Sequence, residues 1–349
     1  MPGPEPLEFA LIGRPLRARL RTPALRDWLV DRWQFDGHEV APHPYRITID
    51  EESHPPADLP APHAGAGVAG AEAVVAELPG IRLHWWHQEP WWWMGAEGGV
   101  AIRFDPDEAR IRVWNAGAAP PDLTAALYLA LNEALRASGL IPLHAAVVIN
   151  GSDAVAIVAP SGTGKTTTLL RLLSAGWAPL AEDLSWLDPE SFTLYGWDRG
   201  IRLWPPSLET FFPHLASAPW RPDPDGKLFL DYDALGAPRV PQARLTRIIR
   251  LARQTNDRLA NADPLAPRPT TEPTPPQGDQ PGASLTRLSS GESVRVFWEA
   301  TGVPMLPATR AALAGRLPEI LKAIPFWRLE LPDGPAPLPS LLPPPDSGS

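Results

Sequence analysis

Apolar alternation and helical spacing mark out the folded stretches of the chain, and polar, proline-rich segments separate them. Ile81 to Trp86, Gly99 to Phe104 and Ile111 to Asn115 are short apolar runs that predict strands. Leu123, Leu127, Leu131 and Leu135 come next at a spacing of four, which predicts a helix over Asp122 to Ala137 with Gly139 as its stop. Beyond it, Leu143 to Ile149 and Ala154 to Ala159 read as two strands. Asn150-Gly151-Ser152-Asp153 joins them, and Asn-Gly tolerates the positive φ of a tight hairpin turn. Thr167 to Ser174 is compatible with a helix, and Pro179 to Leu184 is an apolar strand that ends in two acids. Leu184 to Leu187 with Phe192 to Trp197 predicts a further hairpin.

Composition changes this picture at three places. The chain holds 46 prolines in 349 residues, about 13%, more than twice the usual share of about 5%. They are densest in Pro55 to Pro62, Pro264 to Pro281 and Pro332 to Pro345. Segments of this kind cannot pack a core. The expected organisation is therefore an N-terminal α+β domain over 1–139 with a linker near 54–72, and a core over 140–331 with a disordered insertion at 261–284. A disordered tail, 332–349, completes it. No internal repeat of 20 to 50 residues is evident.

Cysteine is absent, which excludes disulfide frameworks, thiolate nucleophiles and cysteine-ligated metal. No apolar run reaches the length of a membrane span, and Arg14, Arg17 and Arg19 interrupt the N-terminus where a signal peptide needs an unbroken apolar stretch. A cytoplasmic protein with no membrane partner is expected. The net charge of −9 and the scattered arginines argue against a nucleic-acid partner, which requires clustered positive charge. Homo-oligomerisation stays open.

The candidate chemistry begins where the second hairpin strand runs into Ala159-Pro160-Ser161-Gly162-Thr163-Gly164-Lys165-Thr166. This fits the P-loop pattern with alanine at the first glycine position. Gly162 and Gly164 let backbone N–H groups turn inward around phosphate oxygens, Lys165 reaches the β- and γ-phosphates, and Thr166 ligates magnesium. Ser161 to Thr167 are the expected nucleotide-binding residues, with ATP and Mg2+ as cofactors. The chain has only three lysines, and one stands where the loop needs a compact ammonium rather than a planar guanidinium.

Two further features converge on the loop. If residues of the hairpin pair when their numbers sum to about 303, His144 stands opposite Ala159. Glu182 and Asp183 end a strand one helix after the loop, and a right-handed βαβ unit places both strand ends on the same side. One acid is expected to hold magnesium, with Asp183 joining Thr166 as metal ligands, and the other to accept a proton. Which acid does which stays open.

These residues resemble the C-terminal catalytic domain of the HPr kinase family. The resemblance covers roughly residues 140 to 331. It rests on Leu143-His144-Ala145-Ala146, the hairpin, Pro160 to Thr166, Gly176-Trp177-Ala178-Pro179-Leu180-Ala181-Glu182-Asp183, and Ile201-Arg202-Leu203-Trp204-Pro205. It implies an α/β fold with a P-loop kinase core of the HPr kinase and phosphoenolpyruvate carboxykinase type, preceded here by the smaller α+β domain. It also implies transfer of the ATP γ-phosphate to a serine hydroxyl, with His144, Glu182 and Asp183 as the catalytic groups. The first acid is Glu182 where HPr kinases carry Asp, and their glycine-rich signature for phosphorolysis is absent. Relatives with a small variable N-terminal region and a shortened core include kinases that phosphorylate a serine of ribosomally made precursor peptides, so a peptide or small-protein acceptor is expected. A small-molecule phosphotransferase and a non-catalytic nucleotide sensor are the alternatives.

Other patterns weigh less. Leu288 to Ser293 is similar to the ABC ATPase signature, but no apolar strand ending in Asp-Glu stands at the proper distance beyond it. His84 and His87 have metal-ligand chemistry, yet three residues apart on a strand they point to opposite faces. Trp85, Trp86, Trp91, Trp92 and Trp93 read as a packed hairpin, with a peptide-binding platform as the rival reading. Arg199 or Arg202 is placed to stabilise charge on a transferring phosphoryl group. Lys227 reads as a solvated turn residue, and Arg244, Arg247, Arg250 and Arg253 as a solvated face or a strand.

Overall fold

The computed structural model describes residues 5–35, 37–38, 43–54, 73–78, 81–88, 91–96, 100–115, 120–223, 225–237, 239–253 and 283–331. Residues 55–72 of the expected linker, 261–282 of the expected insertion and the tail 332–349 lie outside them. The chain is a mixed α/β protein whose residues form two compact units, Met1–Ile141 with Val303–Ala314, and Pro142–Gly302 with Gly315–Ser349. Among the described residues no helix is long and apolar enough to cross a membrane.

The first unit carries an eight-stranded sheet. Its strands are β1 (Leu7–Leu11), β2 (Arg14–Arg19), β3 (Ile47–Glu52), β4 (Ala73–Leu78), β5 (Ile81–Gln88), β6 (Trp91–Ala96), β7 (Val100–Asp105) and β8 (Arg110–Asn115). Their order is β1-β2-β3-β8-β7-β6-β5-β4. β3 pairs in parallel with β2 and β8, and the remaining pairs are antiparallel. Helix α1 (Pro23–Trp33) and helix α2 (Pro120–Ala137) belong to this unit. The leucines at spacing four in α2 are all buried, each contributing about 1.5–3 kcal/mol of burial. The tryptophan run is a packed hairpin. Trp86 faces Trp93 across β5 and β6, Trp85 faces Met94, and all four side chains are interior. Trp93 stacks on Trp114, and the Arg103 guanidinium lies 4.2 Å from the centre of the Trp91 ring. His84 and His87 gain no third metal-ligand partner among the described residues.

The second unit is built on a nine-stranded sheet. It comprises β9 (Ile141–His144), β10 (Ala146–Asn150), β11 (Asp153–Val158), β12 (Ala178–Ala181), β13 (Leu184–Asp188) and β14 (Thr193–Gly196), and continues further along the chain. β15 (Gly200–Leu203), β16 (Arg221–Pro222) and β17 (Leu228–Asp231) form a small separate sheet. β18 (Gln242–Arg253), β19 (Ser284–Arg287) and β20 (Phe326–Leu331) complete the large one. The helices after α2 are α3 (Lys165–Ser174), α4 (Pro205–Phe211), α5 (Ser290–Thr301) and α6 (Pro307–Ala323).

The hairpin forms with the expected register, Asn150 pairing with Asp153 and Ala146 with Ile157, and Gly151 takes φ +65° in the turn. The expected single strand Leu143 to Ile149 is in fact two. Ala145 interrupts it, and β9 leaves the hairpin to lie beside β13 at the sheet edge. His144 therefore does not pair with Ala159, because the ladder with β11 stops at Ala146. β11 and β12 run in the same direction because each is antiparallel to β10, which lies between them. The crossover through α3 thus brings the ends of β11 and β12 to one side of the sheet.

β18 is the long central strand. It pairs in parallel with β11 and β20 and, through its first residues, antiparallel with β14. The arginine series 244, 247, 250 and 253 is this strand. Its Ile249 and Leu251 pack into one cluster with Leu169, Leu170 and Leu172 of α3. Arg250, on the alternate face, reaches Glu299 of α5 at 3.5 Å, so α3 and α5 cover opposite faces of the sheet. The segment similar to an ABC signature starts α5: the Ser289 side chain accepts the Glu292 N–H, and Glu292 accepts the Ser289 N–H. It is a capping box.

Candidate functional site

β11 ends at Val158, and residues 159–164 form a loop that leads into α3. Gly162 takes φ +79° and Gly164 φ +105°, a left-handed region that glycine enters without steric cost. The two reversals bend the chain back to the start of α3, with Gly164 as its N-cap. The first N–H groups of a helix have no partner within it, and the aligned peptide dipoles add partial positive charge there.

At this helix start the side chains of Lys165, Thr166, His144, Glu182 and Asp183 meet. Lys165 Nζ donates to Asp183 Oδ1 at 2.6 Å and lies 2.9 Å from His144 Nε2. An ammonium only donates, so Nε2 is the acceptor and the imidazole is neutral, with its proton on Nδ1. That Nδ1 lies 3.5 Å from Asp183 Oδ2. Thr166 Oγ1 donates to Glu182 Oε1 at 2.5 Å. The structure thus brings all five together, but pairs them differently from the expected metal set. Thr166 meets Glu182, whereas Asp183 meets Lys165 and His144, because adjacent residues at the end of β12 point in different directions.

The electrostatics separate the two acids. Burial pushes Glu182 up to about 7, against the Thr166 hydrogen bond and with Asp198 and Asp183 adding repulsion. Burial acts on Asp183 in the same direction, but the Lys165 ammonium and its hydrogen bond outweigh it and hold that carboxylate below its usual range. Partial burial of His144, together with the neighbouring Lys165 charge, lowers its pKa. At neutral pH Asp183 is ionised and His144 neutral.

Both acids are fixed by a residue that belongs to no sequence motif. Asp198, buried, accepts the backbone N–H groups of Glu182, Asp183 and Leu184 at 2.9, 2.6 and 2.9 Å through one carboxylate oxygen. Burial raises its pKa, with the hydrogen bonds from Leu184 and Asp183 opposing. The charge of Arg202 lowers the pKa values of Asp183 and Asp198, while the Arg199 carbonyl accepts the Tyr232 N–H at 3.3 Å. Lys227 lies 5.5 Å from the centre of the Trp204 ring, outside this cluster.

A cleft of about 320 Å³ opens beside the cluster, lined by His144, Ala159, Pro160 and Ser161 on one side and by Arg250, Val296 and Glu299 on the other. His144 and Ala159 therefore share a cleft without sharing a ladder. On the other side of the loop, Arg253 at the end of β18 donates through Nε to the Thr163 carbonyl at 3.0 Å.

No family model and no curated protein matches the chain. Among solved structures, it is similar to the Hpr(Ser) kinase/phosphatase from Coxiella burnetii, with 14% sequence identity over 57% of this chain and 92% of that chain and a TM-score of 0.28.

Proposed function

We propose that the chain is an ATP- and magnesium-dependent kinase with a P-loop core, and that it transfers the γ-phosphate to a serine hydroxyl of a peptide or small protein. One observation carries the reading. A lysine at the start of a helix, behind a loop with two glycines at positive φ, is clasped by an ionised aspartate and a neutral histidine.

The residues present suit the groups such a reaction needs. Backbone N–H groups of Ser161 to Thr167, apart from that of Thr163, which the Pro160 carbonyl accepts, suit a phosphate at the N-terminus of α3. Lys165 has three N–H donors; Asp183 and His144 take two, and the third remains for a phosphate oxygen. The Thr166 hydroxyl and the Glu182 carboxylate, 2.5 Å apart, are hard oxygen donors of the kind magnesium takes alongside phosphate. Magnesium, when bound, supplies neutralisation of the charge on the β- and γ-phosphates. This reading gives metal ligation to Thr166 and Glu182, and leaves Asp183 for proton transfer.

Asp183 is the base. Held as a carboxylate by Lys165, it takes the proton of the serine hydroxyl as the oxygen–phosphorus bond forms and the bond to the β-phosphate oxygen breaks, releasing ADP. His144, neutral and within reach of both Lys165 and Asp183, orients the pair. The cleft beside His144 and Ser161 offers the acceptor segment an approach to His144 and, through it, to Asp183.

The test is incubation with γ-labelled ATP, magnesium and serine-containing peptides. Label in peptide, lost in a Lys165→Ala variant that still unfolds cooperatively, is the expected result. Transfer retained by Lys165→Ala overturns the reading. Label entering only a small metabolite moves the assignment to a small-molecule phosphotransferase.

A further inference from the structure

The face of β18 that packs on α3 continues past the end of β11, with β20 still paired on the other side. β18 runs parallel to β11 with Arg250 beside Val158, so Leu251, Ala252 and Arg253 extend past the end of β11 to where the glycine loop turns. Side chains alternate along a strand. Leu251 packs with α3, and Arg253, two residues on, emerges on the same face. Its Nε donates to the Thr163 carbonyl at 3.0 Å, and its Nη2 lies 2.9 Å from where a Cβ on Gly164 would stand. Arg171 on α3 lies near enough for the Arg253 charge to add to partial burial in lowering its pKa. The Arg171 guanidinium sits 5.6 Å from the centre of the half-exposed Phe211 ring.

Neither guanidinium has a carboxylate partner among the described residues. Lys165, by contrast, is balanced by Asp183 at 2.6 Å. Arg253 therefore stands at the loop and Arg171 on the helix behind it, two like charges that feel one another, an arrangement that an anion of more than one charge would relieve. Ligands of open α/β sheets gather at the carboxyl ends of parallel strands, and Arg253 stands at such an end.

We infer that Arg253 and Arg171 bind the phosphate chain of a nucleoside di- or triphosphate, from a position distinct from the cluster formed by Lys165, Asp183 and His144. The inference rests on the phosphotransfer reading above and adds two ligands that the loop motif does not contain. Arg253 fits this role best, because its bond to the Thr163 carbonyl fixes the guanidinium beside the helix N-terminus in advance.

Titration calorimetry of the full chain with ADP, and separately with inorganic tripolyphosphate, tests it. Arg253→Gln is expected to weaken both ligands by about tenfold to a hundredfold, the usual loss for a charged hydrogen bond. Arg171→Gln is expected to weaken both by a smaller factor. Unchanged ADP affinity in a stably folded Arg253→Gln overturns the inference. If Arg253→Gln lowers thermal stability through the Thr163 contact, Arg171→Gln decides, and ADP affinity equal to wild type overturns the pair. A wild-type chain that binds neither ligand overturns the phosphotransfer reading itself, and the arginine pair with it.

Discussion

The carboxylate of Asp198 accepts the backbone N–H of Asp183 at 2.6 Å, and the same oxygen also takes the N–H groups of Glu182 and Leu184. One buried side chain therefore fixes the bend between β12 and β13, where both acids of the site emerge. Asp198→Ala strips three N–H groups of their acceptor in an enclosed place. Each orphaned group costs about 1–3 kcal/mol, so the substitution is expected to destabilise the fold by about 3 kcal/mol or more. Asp198→Asn keeps an acceptor oxygen and is expected to lose less. Urea unfolding of the two variants checks the order, and equal midpoints would remove the role assigned to the oxygen.

Lys165 makes its two contacts, to Asp183 and His144, at one compact ammonium. Arginine keeps the charge but spreads it over a planar fork that cannot converge on both partners and a phosphate at once. Lys165→Arg is expected to keep the fold and reduce the rate of phosphate transfer by about a hundredfold or more, the scale for losing one positioned donor. Single-turnover kinetics with saturating ATP measures it.

The parts of this site carried by local chemistry were legible in the sequence. The hairpin turn at Asn150-Gly151, the loop from Ser161 to Thr166 and the acidic strand end at Glu182-Asp183 each arise from residues next to one another, and the crossover rule places the last two on one side. The features that escaped depended on non-local pairing. The break at Ala145 has no mark in an apolar run; it exists because β9 finds β13 and β10 finds β12. Asp198 and Arg253 belong to no motif. Asp198 matters because a fold-specific bend aims three N–H groups at it, and Arg253 because β18 outruns β11. The arginines of β18 carried only a weak strand signal, since a period of three residues also suits the solvated face of a helix.

His144 stands at the end of an edge strand, about half exposed, and contributes little to the core. If it only packed, its removal would lower stability and leave turnover unchanged. As the residue orienting Asp183 and Lys165, it predicts the opposite. His144→Ala is expected to unfold within about 0.5 kcal/mol of wild type, as surface changes do. It is also expected to lower kcat by at least about tenfold with little change in KM for ATP. Steady-state kinetics alongside thermal unfolding separates the two outcomes.

Glu182 ties stability to pH in a definite direction. Its pKa is raised from 4.5 in the free residue to about 7 in the folded chain, chiefly by burial. The folded state therefore holds this proton more tightly than the unfolded state does. Below about pH 4.5 both states are protonated and the contribution to stability is complete. Between about 4.5 and 7 the unfolded chain ionises first, so stability falls as pH rises; above about 7 both are ionised and the contribution is gone. At about 1.4 kcal/mol per pH unit, the displacement couples about 3 kcal/mol to pH. Asp183, with its pKa depressed, works in the opposite sense, and its stabilisation is lost only as pH falls below the usual carboxylate range. Glu182→Gln removes the first effect and leaves the second. Its unfolding free energy, measured in urea from pH 5 to 7, is expected to decline less steeply than that of wild type, with the gap widening in favour of the variant toward pH 7. Parallel slopes for the two proteins would show that Glu182 is ionised in the folded state throughout this range.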